Sequence, residues 1–131
     1  MSIRYPLVML VDDNELDNFI NKKRVEADSF AGATTIHTSA QSALDYLKNN
    51  VDNPGQIPDL IFLDIMMPEM DGFGFLEVFD KLPDAVKTKS RIVMLSTSDS
   101  FKDLNRANQN KYVKRFLNKP LNAQVLGALN I

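Results

Sequence analysis

The chain has 131 residues, enough for one domain with a real core and too few for two. Its formal charge of −2, with acids and bases interspersed, gives no general affinity for nucleic acid or an anionic membrane. Cysteine is absent, which excludes disulfides, thiolate metal sites and thiol catalysis, and no run has the apolar length of a secretion signal or a membrane span. A soluble, cytoplasmic protein is the expectation.

Leu7-Val8-Met9-Leu10-Val11 is a continuous apolar run ending in Asp12 and Asp13, and it reads as a strand buried on both faces. Asn14 can cap a following helix, with Leu16, Phe19, Ile20 and Ala27 on its apolar face, Asp17, Asn18, Asn21 and Lys22 as its polar residues, and an end near Asp28. Thr34-Thr35-Ile36-His37-Thr38 is β-branched but polar, as expected of an edge strand, and His37 reads there as a surface residue. Ser39 caps a helix whose Ala40, Ala43, Leu44 and Leu47 follow the i, i+3, i+4, i+7 pattern. Asn53-Pro54-Gly55 and Ile57-Pro58 make a turn-rich connection.

Leu60-Ile61-Phe62-Leu63 then runs straight into Asp64, with Pro58 before and Pro68 after it stopping any helical reading. From Gly72 to Leu82, Phe75, Leu76, Phe79 and Leu82 share one helical face, and Pro83 ends it. Ile92-Val93-Met94-Leu95 is a third all-apolar strand, followed by Ser96-Thr97-Ser98. Asp99 or Ser100 can cap a loosely held helix bearing Phe101, Leu104 and Ala107. Tyr112 to Leu117 mixes charge into a strand pattern and reads as an edge. Asn118-Lys119-Pro120 turns the chain into a short last helix with Val125, Leu126 and Leu129.

This β-α alternation, five times over, predicts an α/β domain with a parallel sheet. The first, third and fourth strands are all apolar and belong inside; the second and fifth are mixed and belong at the edges. The doubly wound five-stranded order 2-1-3-4-5, the flavodoxin-like arrangement, satisfies both conditions. Its switch point lies between the first and third strands, so Asp12, Asp13 and Asp64 bound one crevice. Three carboxylates there repel each other: two unit charges about 4 Å apart interact by roughly 4 kcal/mol at an effective dielectric near 20. A cation must share the site. Hard oxygen ligands suit Mg²⁺, Lys119 ends the fifth strand with a further positive charge, and Ser96 ends the fourth with a hydroxyl. Those are the parts of a phosphoryl-transfer site, and an Asp carboxylate is a competent nucleophile for it.

The combination Val11-Asp12-Asp13-Asn14, Asp64-Ile65-Met66-Met67-Pro68 with Met70-Asp71-Gly72, Ser96 after an apolar strand, and Lys119-Pro120 resembles the receiver domains of two-component response regulators. The resemblance covers nearly the whole chain. It implies that Asp64 accepts a phosphoryl group from a sensor histidine kinase or histidine phosphotransfer protein, making the chain a phosphoprotein of a phosphorelay rather than an enzyme, with autocatalysed transfer and autodephosphorylation. Mg²⁺ is then held by Asp13, by Asp12 through water, by Asp64 and by the Met66 carbonyl. Lys119 and Ser96 hold phosphoryl oxygens, and Phe116 changes rotamer as Ser96 is drawn inward, switching the surface of the fourth helix, fifth strand and fifth helix. The residues 1–131 are expected to form a single receiver domain with no effector domain, signalling by contact with a downstream protein or by onward transfer.

Thr97, where many relatives carry Ala or Gly, crowds access to the site, and the last helix is short. Met66 and Ser98 offer no group that activates water, which implies slow hydrolysis. A mononucleotide binder at the same crevice fails on charge, because the first loop offers Asp12, Asp13 and Glu15 to a phosphate. A haloacid-dehalogenase-type phosphohydrolase needs a second acid two residues after the nucleophile, where Met66 stands. A phosphorylation-independent pseudo-receiver serving as an interaction module is the alternative that keeps the fold.

Overall fold

The computed structural model describes residues 3–97, 101–119, 121–129 and 131, apart from the side chain of Phe101; Ser98, the Asp99 or Ser100 cap and Pro120 lie outside the described residues. Strands β1 (Tyr5–Val11), β2 (Ala31–His37), β3 (Leu60–Asp64), β4 (Arg91–Ser96) and β5 (Val113–Asn118) form one parallel sheet in the order β2-β1-β3-β4-β5. Helices α1 (Glu15–Glu26), α2 (Ala40–Asn49), α3 (Gly72–Phe79), α4 (Asp84–Lys87), α5 (Phe101–Asn108) and α6 (Ala123–Ala128) connect the strands or follow the last one. The expected fold class and strand order are those observed.

Strand side chains alternate between two apolar layers, as a period of two requires. Met9, Val11, Ile61, Leu63, Ile92 and Met94 pack with Ala40, Ala43, Leu44 and Leu47 of α2 and with Phe75, Leu76 and Phe79 of α3. Val8, Leu10, Leu60, Phe62, Val93 and Leu95 pack on the opposite side with Val25 of α1 and with Leu126 of α6. All five residues of β3 are buried, which is what a central parallel strand demands of Leu-Ile-Phe-Leu.

Several boundaries differ from the sequence expectation. β2 begins at Ala31, because Tyr5 pairs with it and recruits Ala31-Gly32-Ala33, residues with little strand preference of their own. Beyond Pro83 the chain makes a further helical turn, α4, that buries Val86. The larger correction concerns α1. Leu16 and Phe19 were expected to face the core, yet they are 65% and 56% exposed, while Asn18 and Asn21 are buried with Val25. The Asn18 amide nitrogen donates to the Asp12 carbonyl at 2.7 Å at the end of β1, while among the described residues its Oδ1 is buried without a hydrogen-bond partner. His37 is also more engaged than a surface residue: its ring nitrogens contact Thr35 Oγ1 at 3.0 Å and Ser42 Oγ at 2.9 Å.

Candidate functional site

Register brings the acids together. Val11 lies opposite Leu63, so Asp12 and Asp64 follow side by side at the carboxyl edge of β1 and β3. Asp64 is opposite Leu95, and Ser96 opposite Asn118, which carries the stagger across to Lys119. The Lys119 amide donates to the Ser96 carbonyl at 2.9 Å, fixing the start of that loop. Carboxylate oxygens of Asp12, Asp13 and Asp64 lie within 4.8 Å of one another. Asp12 and Asp64 are buried, and Asp13 is open to solvent.

The loop after Asp64 is shaped by two backbone devices. Met70 N donates to the Pro68 carbonyl at 2.7 Å across Glu69, whose φ of 69° is that of a tight three-residue turn. This return lets Gly72 N donate to the Ile65 carbonyl at 2.8 Å. A Cβ on Gly72 would stand 2.8 Å from the Asp64 carbonyl oxygen and 2.8 Å from Met94 Cε, so the missing side chain permits the approach. Asp71 then caps α3 through Gly74 N at 2.8 Å. Met67 is buried as core filling, whereas Met66 is 68% exposed at the crevice.

Lys119 sits in the middle of the acids. Its Nζ donates to Asp12 Oδ2 at 2.5 Å and to Asp17 Oδ2 at 3.1 Å, and lies 3.4 Å from Asp64 Oδ1. Burial works against its charge, but the hydrogen bond to Asp12 and the charges of Asp64 and Asp12 more than offset that, holding its pKa above the ordinary lysine value. Asp64 also shifts upward, which for an acid disfavours the charged form. Burial first, then the neighbouring Asp12, raises its pKa to about 6 despite Lys119. Three carboxylates, Asp12, Asp17 and Asp64, thus share one ammonium, with Asp13 a further acid beside them, which leaves Asp64 incompletely compensated. The donor set therefore fits a hard divalent cation: close carboxylate oxygens, one of them open to water, with negative charge to spare.

Ser96 is buried beside these groups, Thr97 is exposed, and Phe116 is half-buried against the α2/α3 layer, opposite Met94 in the register. Sequence reasoning missed Asp17, which it assigned to the polar face of α1. The available signal was its place in the first turn of a helix opened by Asn14, where Asn14 Oδ1 accepts from Asp17 N at 3.0 Å and the carboxylate stands at the strand-end side.

A 2-1-3-4-5 parallel sheet with clustered acids and a lysine at its switch point defines the receiver class of doubly wound domains. The profile of the response regulator receiver domain matches residues 8–129, and the chain belongs to that family of two-component signalling modules. It is similar in structure to a two component response regulator from Cytophaga hutchinsonii, with a TM-score of 0.86 and 28% identity over 95% of this chain and 92% of that one. It is 31% identical over 115 residues to the polar-differentiation response regulator DivK of Brucella ovis, covering 87% of this chain and 84% of that protein. To the probable methanogenesis regulatory protein FilR2 of Methanothrix harundinacea it is 30% identical over 121 residues, covering 92% of this chain and 76% of that protein. Among the described residues, no helix is long and apolar enough to cross a membrane.

Proposed function

We propose that Asp64 is the phosphoacceptor of a two-component phosphorelay. One observation carries this reading: a buried carboxylate, incompletely compensated, stands 3.4 Å from the Lys119 ammonium at the switch point of a receiver fold. An Asp64 oxygen attacks the phosphorus of a phosphohistidine; the P–O bond forms as the P–N bond breaks, and the departing imidazole takes a proton from solvent. The product is an aspartyl-phosphate. Lys119 and the Ser96 hydroxyl donate to the phosphoryl oxygens, and Asp12 keeps the ammonium in place. Asp13, Asp64, the Met66 carbonyl and, through water, Asp12 would hold Mg²⁺, whose charge neutralises the carboxylates and the incoming phosphoryl group.

Exposed Leu16 and Phe19 on α1, next to the acidic loop, offer an apolar surface to the protein that carries the phosphohistidine, a kinase or a phosphotransfer protein. Output uses the surface of α5, β5 and α6, with half-buried Phe116 following Ser96 inward. The chain acts as a single receiver domain, signalling by protein contact or by passing the phosphoryl group on.

The test is intact mass spectrometry after incubation with acetyl phosphate. With Mg²⁺ the chain gains one phosphoryl group, and with chelator the gain is lost. A folded chain that gains nothing at any Mg²⁺ concentration would favour the phosphorylation-independent module instead.

A further inference from the structure

Lys119 is surrounded by three acids that differ in what it costs to release them. An ammonium has three N–H donors. Here Asp12 Oδ2 and Asp17 Oδ2 accept at 2.5 and 3.1 Å, and Asp64 Oδ1 lies at 3.4 Å. The third donor faces Asp64, so drawing the ammonium onto a phosphoryl oxygen there stretches one of the two bonds to Asp12 and Asp17.

Asp12 is a poor candidate. It is 2% exposed, its Oδ1 already accepts from Asn14 N at 2.9 Å, and its burial keeps bulk water from replacing the ammonium at its other oxygen. Asp17 differs on every count. Its side chain is 35% exposed, so water can replace the lysine, and it stands in the first turn of α1, where the helix dipole favours a carboxylate. Its bond to Lys119 is also the longer of the two.

We infer that Asp17 is a positioning residue that competes with the phosphoryl group for Lys119. In the unphosphorylated chain it occupies one ammonium donor and ties the loop after β5 to α1. On phosphorylation it yields that donor to a phosphoryl oxygen and turns to water. The second half rests on the phosphoacceptor reading; the first rests only on the resting geometry. One consequence follows for signalling. Asp17 belongs to the same helical turn as Leu16 and Phe19, so the state of Asp64 is reported to the exposed apolar face of α1 as well as to Phe116.

The experiment uses the full chain with Mg²⁺ and beryllofluoride, a non-covalent phosphoryl mimic, and reads its affinity by fluorine NMR. Asp17→Asn is expected to bind roughly two- to fivefold tighter, the scale of one partly exposed ion pair. Asp17→Glu, which retains the competing acid, stays within about twofold of the unaltered chain. Glu15→Gln makes the same charge change on the same turn without touching Lys119, and leaves the affinity unchanged. Unchanged or weaker binding in Asp17→Asn overturns the competition, and equal tightening in Glu15→Gln reduces it to a general charge effect and overturns it too. The resting half is read without any mimic, from nitrogen-15 NMR of the Lys119 ammonium. Asp17→Asn should speed exchange of its protons with water at least about twofold, in line with the same bond strength. Unchanged exchange overturns the latch even if no mimic binds, so failure of the latch and failure of the phosphoacceptor reading give different results.

Discussion

Asp64→Asn is expected to stabilise the cation-free protein, although it removes the proposed nucleophile. The pKa of Asp64 rises from 3.8 to about 6, through burial first and Asp12 second. Each unit corresponds to about 1.36 kcal/mol, so ionised Asp64 costs the folded state up to about 3 kcal/mol at neutral pH, and its coupling to Lys119 and Asp12 makes a gain of about 1–3 kcal/mol the reasonable expectation. Between pH of about 4 and 6 the folded chain holds a proton that the unfolded chain has lost. Stability therefore falls as pH rises through that window, and the penalty is complete above it. Asparagine keeps the shape and never ionises. For a domain of this size about 1 kcal/mol moves the midpoint by roughly 3–5 °C, so thermal unfolding in chelator at pH 7.5 should show Asp64→Asn melting about 3–15 °C higher. At pH 4 the two proteins should converge. An equal or lower midpoint for the variant at pH 7.5, or a gain that persists undiminished at pH 4, would refute the reasoning.

Other substitutions probe the supports of the site. Lys119→Ala strips the ammonium from a nearly buried cluster and should cost about 2–4 kcal/mol without cation, measured by urea unfolding, while Asp64 still accepts a phosphoryl group and NMR of the Phe116 ring no longer reports it. Gly72→Ala puts a methyl 2.8 Å from the Asp64 carbonyl and Met94 Cε. It should lower stability by about 1–3 kcal/mol and slow modification by acetyl phosphate; unchanged values for both would show that the loop has room. Leu16→Ser with Phe19→Ser should leave the melting temperature within about 2 °C, since both side chains are exposed, and should leave acetyl phosphate labelling intact. Transfer from a phosphohistidine protein should fall at least tenfold, and unimpaired transfer would remove α1 from the docking surface.

The strand order was legible because the distinction between all-apolar Leu7–Val11, Leu60–Leu63 and Ile92–Leu95 and the mixed segments around Thr34 and Lys114 reflects burial on two faces against one. The acids at the switch point followed from that order. What was not legible depended on contacts between distant residues. The rotation of α1 brings Asn18 to the Asp12 carbonyl and Val25 into the core and leaves Leu16 and Phe19 exposed, and it depends on how the helix packs on β1 rather than on its own apolar spacing. Asp17 carries the same charge as any solvated acid, and its meaning appears only when Lys119 arrives from the far end of the chain. The short helix after Pro83 was hidden because proline ends one helix and equally well begins the next.

The central claim is that one carboxylate, Asp64, carries the phosphoryl group. Its most direct test is to phosphorylate the chain with acetyl phosphate and Mg²⁺, reduce the acyl phosphate with borohydride, and locate the resulting homoserine by peptide mass spectrometry. The account predicts homoserine at Asp64, in the peptide that contains Leu60-Ile61-Phe62-Leu63, and at no other acid. Homoserine at Asp12, Asp13 or Asp17, or none in a chain that remains folded, would contradict it.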